Sequence, residues 1–362
     1  MRTRRQLDVA SEDFNAEVAR LDPLGLDVDL RRLPKLNEAA DVDALARVLG
    51  EALPTEERVA AFTLPECLAA MRDLGMYLGS LKRHGVVAFD VLPEATGPFA
   101  LLGRRTRLIP RDTVYHYTCW NPPGERERLY TGHPMERGLI DAVRTCVPEL
   151  ARGLEAGRSL CATDPRSAGH AEDWASLVAC VAAVDRTMRS VLQGVSPEFF
   201  ARELRPYFED VAVAGRPYMG PAAAHIPLFL VDVLLWASDR GGEEYRAFCD
   251  EIASHTLPDW RERYAEWSAL PSLASRYVAA LGDSLSPDEA RHVQAGARAL
   301  REALRTLASF RGKHLVMARR AYQEELRLYA LGSGGGSTEL LVEILALTRA
   351  NHAAIGATAA AR

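Results

Sequence analysis

The stretch Leu300-Arg-Glu-Ala-Leu-Arg-Thr-Leu-Ala-Ser-Phe310-Arg-Gly-Lys-His314-Leu-Val-Met-Ala-Arg-Arg-Ala321 places apolar residues three and four positions apart. Leu300, Leu304, Leu307, Phe310, His314, Met317 and Ala321 therefore share one face of a helix, the face turned towards a core. The same period runs through most of the chain, which predicts an all-α fold. His314 sits inside the apolar stripe, where a neutral imidazole must find a hydrogen-bond partner or a metal. On this pattern alone, a core histidine satisfied by a neighbour is the commoner outcome.

The chain has 362 residues, 48% of them hydrophobic, enough for one large or two unequal domains. A net charge of −5 lacks the basic surface that nucleic-acid binding requires. The Arg-rich opening Met1 to Arg5 is not followed by an apolar stretch, so it does not read as a secretory signal. The longest apolar run, Ile226 to Ala237, is broken by Asp232 and falls short of the ~20 residues of a membrane span. Cys67, Cys119, Cys146, Cys161, Cys180 and Cys249 are scattered, with no CxxC and no CxxCH. That spacing suits reduced thiols and a cytoplasmic protein, with neither a thiolate metal cluster nor covalently attached haem. The histidines form no HExxH, so a zinc site has little support.

Residues from about 60 to 85 read as a helix whose Gly75 and Gly79 weaken it by ~1 kcal/mol each unless something packs closely there. A close helix crossing is the first expectation, a flat ligand the second. Leu92 to Pro134 is rich in Pro, Gly and Arg, with a short alternating piece at Thr113–Trp120 that reads as a strand or a short helix. Helical periodicity resumes near Met135. The expected organisation is a smaller, partly irregular N-terminal domain over 1–134 and a larger helical domain over 135–362.

After the histidine helix comes Leu331-Gly-Ser-Gly-Gly-Gly-Ser-Thr338, then an apolar helical run from Glu339. Such glycine density lets backbone N–H groups and one hydroxyl approach a ligand, at a helix N-terminus that favours an anion. There is no GK[ST] and no preceding strand, which excludes a P-loop. A helix-to-helix connection capped by Ser337 or Thr338 explains the loop equally well.

Taken together, these landmarks resemble the haem-dependent aromatic oxygenases that include indoleamine and tryptophan 2,3-dioxygenases. The residues are Phe310-Arg-Gly-Lys-His314, the Gly332-Ser-Gly-Gly335 loop, and upstream Val195-Ser-Pro-Glu-Phe-Phe200 with Leu204-Arg-Pro-Tyr207. Within that superfamily the chain is most similar to the monodechloroaminopyrrolnitrin synthases. Ala69–Gly75, Leu78–Gly85, Trp120-Asn-Pro122, Tyr218-Met-Gly-Pro221 and Leu235-Trp236 carry this closer likeness.

The resemblance implies a two-domain helical fold and haem b, with His314 as the proximal iron ligand and Arg311 one turn before it on the proximal side. Tyr322, Ser333 and the adjoining Gly334 would contact the polar end of an aromatic amino acid, which reacts with O2. An electron donor is a possible further partner, and nothing implies nucleic acid or a membrane. Between Tyr322 and Gly332 the chain carries few small residues, so its pocket loop is expected to be shaped differently from the family's. The reaction implied is rearrangement or oxygenation of tryptophan or 7-chlorotryptophan. Tyrosine-type hydroxylation and a non-catalytic haem-binding protein stay open beside it.

Overall fold

The computed structural model describes residues 7–321, 331 and 334–360. The helices that carry the core and the site are α1 (Leu64–Arg83), α2 (Pro134–Ala162), α3 (Ala171–Gly194), α4 (Leu228–Asp232), α5 (Glu243–Ala253), α6 (Leu273–Gly282), α7 (Pro287–Ala321) and α8 (Thr338–Ala360). Among the described residues the strands are limited to an antiparallel hairpin, β1 (Val211–Val213) and β2 (Arg216–Tyr218). Its two-residue turn, Ala214-Gly215, has positive φ at both positions (50° and 77°), the geometry that matches strand twist. The all-helical expectation holds.

Helix α1 starts at a capping box. Thr63 accepts from the Glu66 N–H at 3.4 Å, and the Glu66 carboxylate accepts from the Thr63 N–H at 2.7 Å. It ends where Gly85, at φ +77°, donates to the Lys82 carbonyl while Val86 donates to that of Leu81, closing a Schellman turn. From Cys67 to Leu81 every residue is buried, Arg72 and Asp73 included. Arg72 bonds Asp73 and the carbonyls of Val18, Leu21 and Trp120. Asp73 also receives Arg128 at 3.0 Å. Pairing this complete offsets much of the desolvation penalty that burying these groups incurs.

The glycines of α1 only partly meet the expectation of a close helix crossing. A Cβ on Gly75 would meet the Asp112 side chain at 2.3 Å, and one on Gly79 would meet Tyr130 Oη at 2.4 Å and the Tyr207 carbonyl at 2.8 Å. Asp112 and Tyr130 come from irregular segments folded over the helix, and Tyr207 from a short 3-10 turn, Arg205–Phe208, so a helical partner approaches Gly79 alone. The Thr113–Trp120 piece contains the short helix Val114–Tyr117.

Helix α7 begins at a second capping box, Ser286 with Glu289. It packs on α3, α6 and α8, and α2 packs on α3, together forming the main core, which includes Leu300, Leu304 and Leu307. A second apolar cluster surrounds α1. The two interlock: Phe14, Tyr115 and Trp120 belong to the main core, while Leu204, Tyr207 and Val211 join the cluster around α1. Among the described residues α8 is long and apolar enough to cross a membrane. Its Leu340, Ile344 and Ile355 are buried in the main core. All six cysteines are free thiols.

Candidate functional site

The C-terminal half of α7 forms one wall of an apolar cavity of about 290 Å³. Phe310, Arg311, His314 and Met317 line it from α7. Facing them are Leu139 and Cys146 of α2, Met188 and Val191 of α3, and Tyr245 and Phe248 of α5. Gly334, Gly336 and Leu340 close it at the start of α8. Leu300, Leu304 and Leu307 are completely buried, whereas His314 and Met317 keep partial exposure towards this space.

Among the described residues His314 Nδ1 is buried without a hydrogen-bond partner. Burial, reinforced by the Arg311 charge, pushes the imidazole down to about 4, so the ring is neutral near pH 7. Its nearest aromatic neighbour is Phe310, with ring centroids 5.9 Å apart. The expectation of a satisfied core histidine is therefore not met. A neutral imidazole with an unused nitrogen is the protonation state a metal requires. Among the described residues no three His, Cys, Asp or Glu side chains are grouped to hold an ion. A metal at His314 must bring its other ligands with it, as porphyrin iron does. The apolar walls and the unpaired ring nitrogen fit that group.

Arg311 is held in an ion pair with Asp232, the last residue of α4. The carboxylate also accepts from Tyr245 Oη at 2.6 Å and from Trp236 Nε1 at 3.2 Å. Burial pushes the Asp232 carboxyl up from its ordinary range, against the pull of Arg311 and the two neutral donors. Directly after Asp232 the chain makes a π-helical turn, Val233–Ala237, a rare geometry that recurs at functional sites. A second π turn, Phe200–Leu204, brings Phe200 to the cavity.

Gly334 lies on the cavity wall where the resemblance implies substrate contact. A Cβ there would meet the Ala224 Cβ at 2.3 Å, so the glycine is required by close packing of the loop. Ser337 caps α8, accepting from the Leu340 N–H at 3.0 Å. Tyr322 and Ser333 lie outside the described residues. His314, Arg311 and Gly334, up to 23 positions apart in the chain, thus meet at one cavity. Sequence reasoning missed Asp232, Trp236 and Tyr245 as a group. A signal existed: a lone carboxylate inside the apolar run Ile226–Ala237 needs partners, and these are they.

The fold and the cavity define an all-helical enzyme scaffold with one neutral histidine facing an apolar chamber. Comparison with family models matches residues 17–362 to monodechloroaminopyrrolnitrin synthase PrnB, and the chain belongs to that family. Membership makes it a tryptophan-related oxidative enzyme of pyrrolnitrin biosynthesis.

Proposed function

We propose that the cavity holds haem b, with His314 as the proximal iron ligand, and that the substrate is tryptophan or 7-chlorotryptophan. The reaction is an oxygen-dependent rearrangement or oxygenation of the indole ring, leading towards an aminophenylpyrrole. The observation that carries this reading is the neutral imidazole of His314, unpartnered at Nδ1 among the described residues, on the wall of an apolar chamber.

When bound, haem supplies O2 binding and the redox chemistry, leaving orientation and polarity to the protein. His314 would supply the nitrogen that holds the iron. Arg311, held by Asp232, fixes the turn of α7 that aims this imidazole into the cavity. Phe200, Phe248 and the aliphatic walls exclude water and favour a flat aromatic ring, which must be held at reacting distance. Gly334 lets the loop backbone approach the chamber, and by the family resemblance Tyr322 and Ser333 anchor the ammonium and carboxylate.

The test is direct. Protein reconstituted with haemin should show a Soret band that His314→Ala loses or shifts, and an unchanged spectrum in that variant would remove the haem assignment. Incubation with O2, reductant and 7-chlorotryptophan, tryptophan or tyrosine should then give an indole-derived product by mass analysis. Turnover of tyrosine alone would overturn the substrate assignment.

A further inference from the structure

Asp232 binds three side chains at once. Its Oδ2 accepts from Tyr245 Oη at 2.6 Å and from Arg311, and its Oδ1 accepts from Trp236 Nε1 at 3.2 Å. The rings of Trp236 and Tyr245 stack, with centroids 5.6 Å apart and planes 18° from parallel. All four side chains are buried, and Tyr245 forms part of the same cavity wall as Phe310 and His314. One carboxylate would have sufficed to pair Arg311. The stacked, oxidisable rings gathered on it are not needed for that.

Removing an electron from a phenol makes it a strong acid. In an apolar interior the charged product is costly, so oxidation is favoured where a base can take the proton at once. We propose that Tyr245, stacked on Trp236 and with Asp232 as its proton acceptor, is a one-electron donor to the haem at His314. The proposal rests on the haem reading given above. In the step, one electron leaves the Tyr245 ring, its O–H bond breaks, and the proton forms a new O–H bond at Asp232 Oδ2. A neutral phenoxyl radical and a neutral carboxylic acid remain beside the Arg311 cation. The oxidant is hydrogen peroxide acting on the ferric haem protein. Haem held by His314 would supply one of the two electrons that, with two solvent protons, bring both peroxide oxygens to the oxidation level of water, and Tyr245 would supply the other. The upward push of burial on the Asp232 carboxyl makes it the better acceptor, and Tyr245 stays protonated until it is oxidised. Such a donor would spare other lining side chains, Phe310 and Met317 among them, from oxidation when no substrate is bound.

The experiment uses the haem-loaded full chain, mixed with one equivalent of hydrogen peroxide, frozen rapidly and examined by electron paramagnetic resonance. An organic radical is expected whose spectrum narrows in protein made with ring-deuterated tyrosine and which is lost in Tyr245→Phe. In wild-type protein treated with a nitroso spin trap, peptide mass mapping should place the adduct on Tyr245 or Trp236, a result independent of how well the variant folds. No radical, no narrowing, or adducts only elsewhere would overturn the relay. A Soret band recorded on the same samples separates the two readings. Its absence from wild type removes the haem assignment and the relay with it, whereas a Soret band without the radical removes the relay alone.

Discussion

At the scale of single residues, His314 and Asp232 sit 82 positions apart and are joined through Arg311, which lies on the helix of one and pairs with the other. His314 was legible in the sequence because an imidazole in an apolar stripe poses a question of partners, and because Arg311 and the glycine loop stand around it. That Nδ1 has no partner among the described residues is decided by packing. Asp232 was visible only as an interruption of an apolar run, since its three partners come from α5, α7 and the turn after α4. Replacing it by asparagine leaves the Arg311 guanidinium buried without a counter-charge. Asp232→Asn should therefore destabilise the protein by about 3–5 kcal/mol, measured by urea unfolding of the haem-free protein. A loss below ~1 kcal/mol would show that Arg311 finds water or another acceptor.

At the scale of elements, periodicity marked the long helices but missed the 11-residue helix Thr96–Thr106 inside the stretch read as irregular, and capping chemistry set ends such as Thr63 and Ser286 where the chain turns. The glycines inside helices could not be interpreted from sequence, because a Cβ is tolerated or refused by what packs against it. In α2, a Cβ on Gly153 would meet Cys180 Cβ at 2.5 Å, and one on Gly157 would meet Leu234 Cδ2 at 2.4 Å. Gly153 thus allows α2 to lie against α3, and Gly157 seats the π turn after Asp232. Gly157→Ala gains helix propensity of up to ~1 kcal/mol and pays more in overpacking. A net loss of about 1–2 kcal/mol in thermal or urea unfolding is expected. A stabilised variant would mean that Leu234 yields freely and that the close approach has no energetic role.

At the scale of the whole molecule, two apolar clusters interlock, and several histidines are buried neutral within them. Burial holds His116 down to about 3, and His225, stacked on His255 at 4.8 Å, well below the ordinary imidazole value. In the unfolded chain these groups take up protons near pH 6.5, while the folded state refuses them. The unfolded state then binds more protons, so stability is full above pH 6.5 and falls as pH drops towards 4. Each such histidine should cost about 1.4 kcal/mol per pH unit in that window. Equilibrium unfolding of the haem-free protein at pH 7, 6 and 5 checks this. His116→Gln should flatten the slope, and an unchanged slope would show that His116 is already protonated in the fold.

The sequence by itself determined an all-helical chain, the apolar stripe of α7 with His314 in it, the capped helix after the glycine loop, and the family. Those features are local: they depend on the spacing of apolar residues, cap chemistry and short motifs. Only the tertiary structure decided that Gly334 and His314 share a chamber, that Gly75 and Gly79 receive Asp112, Tyr130 and Tyr207, and that Asp232 meets Arg311. Each of these is a contact between different elements of the chain. Periodicity says which face of a helix is buried, but not what that face will meet.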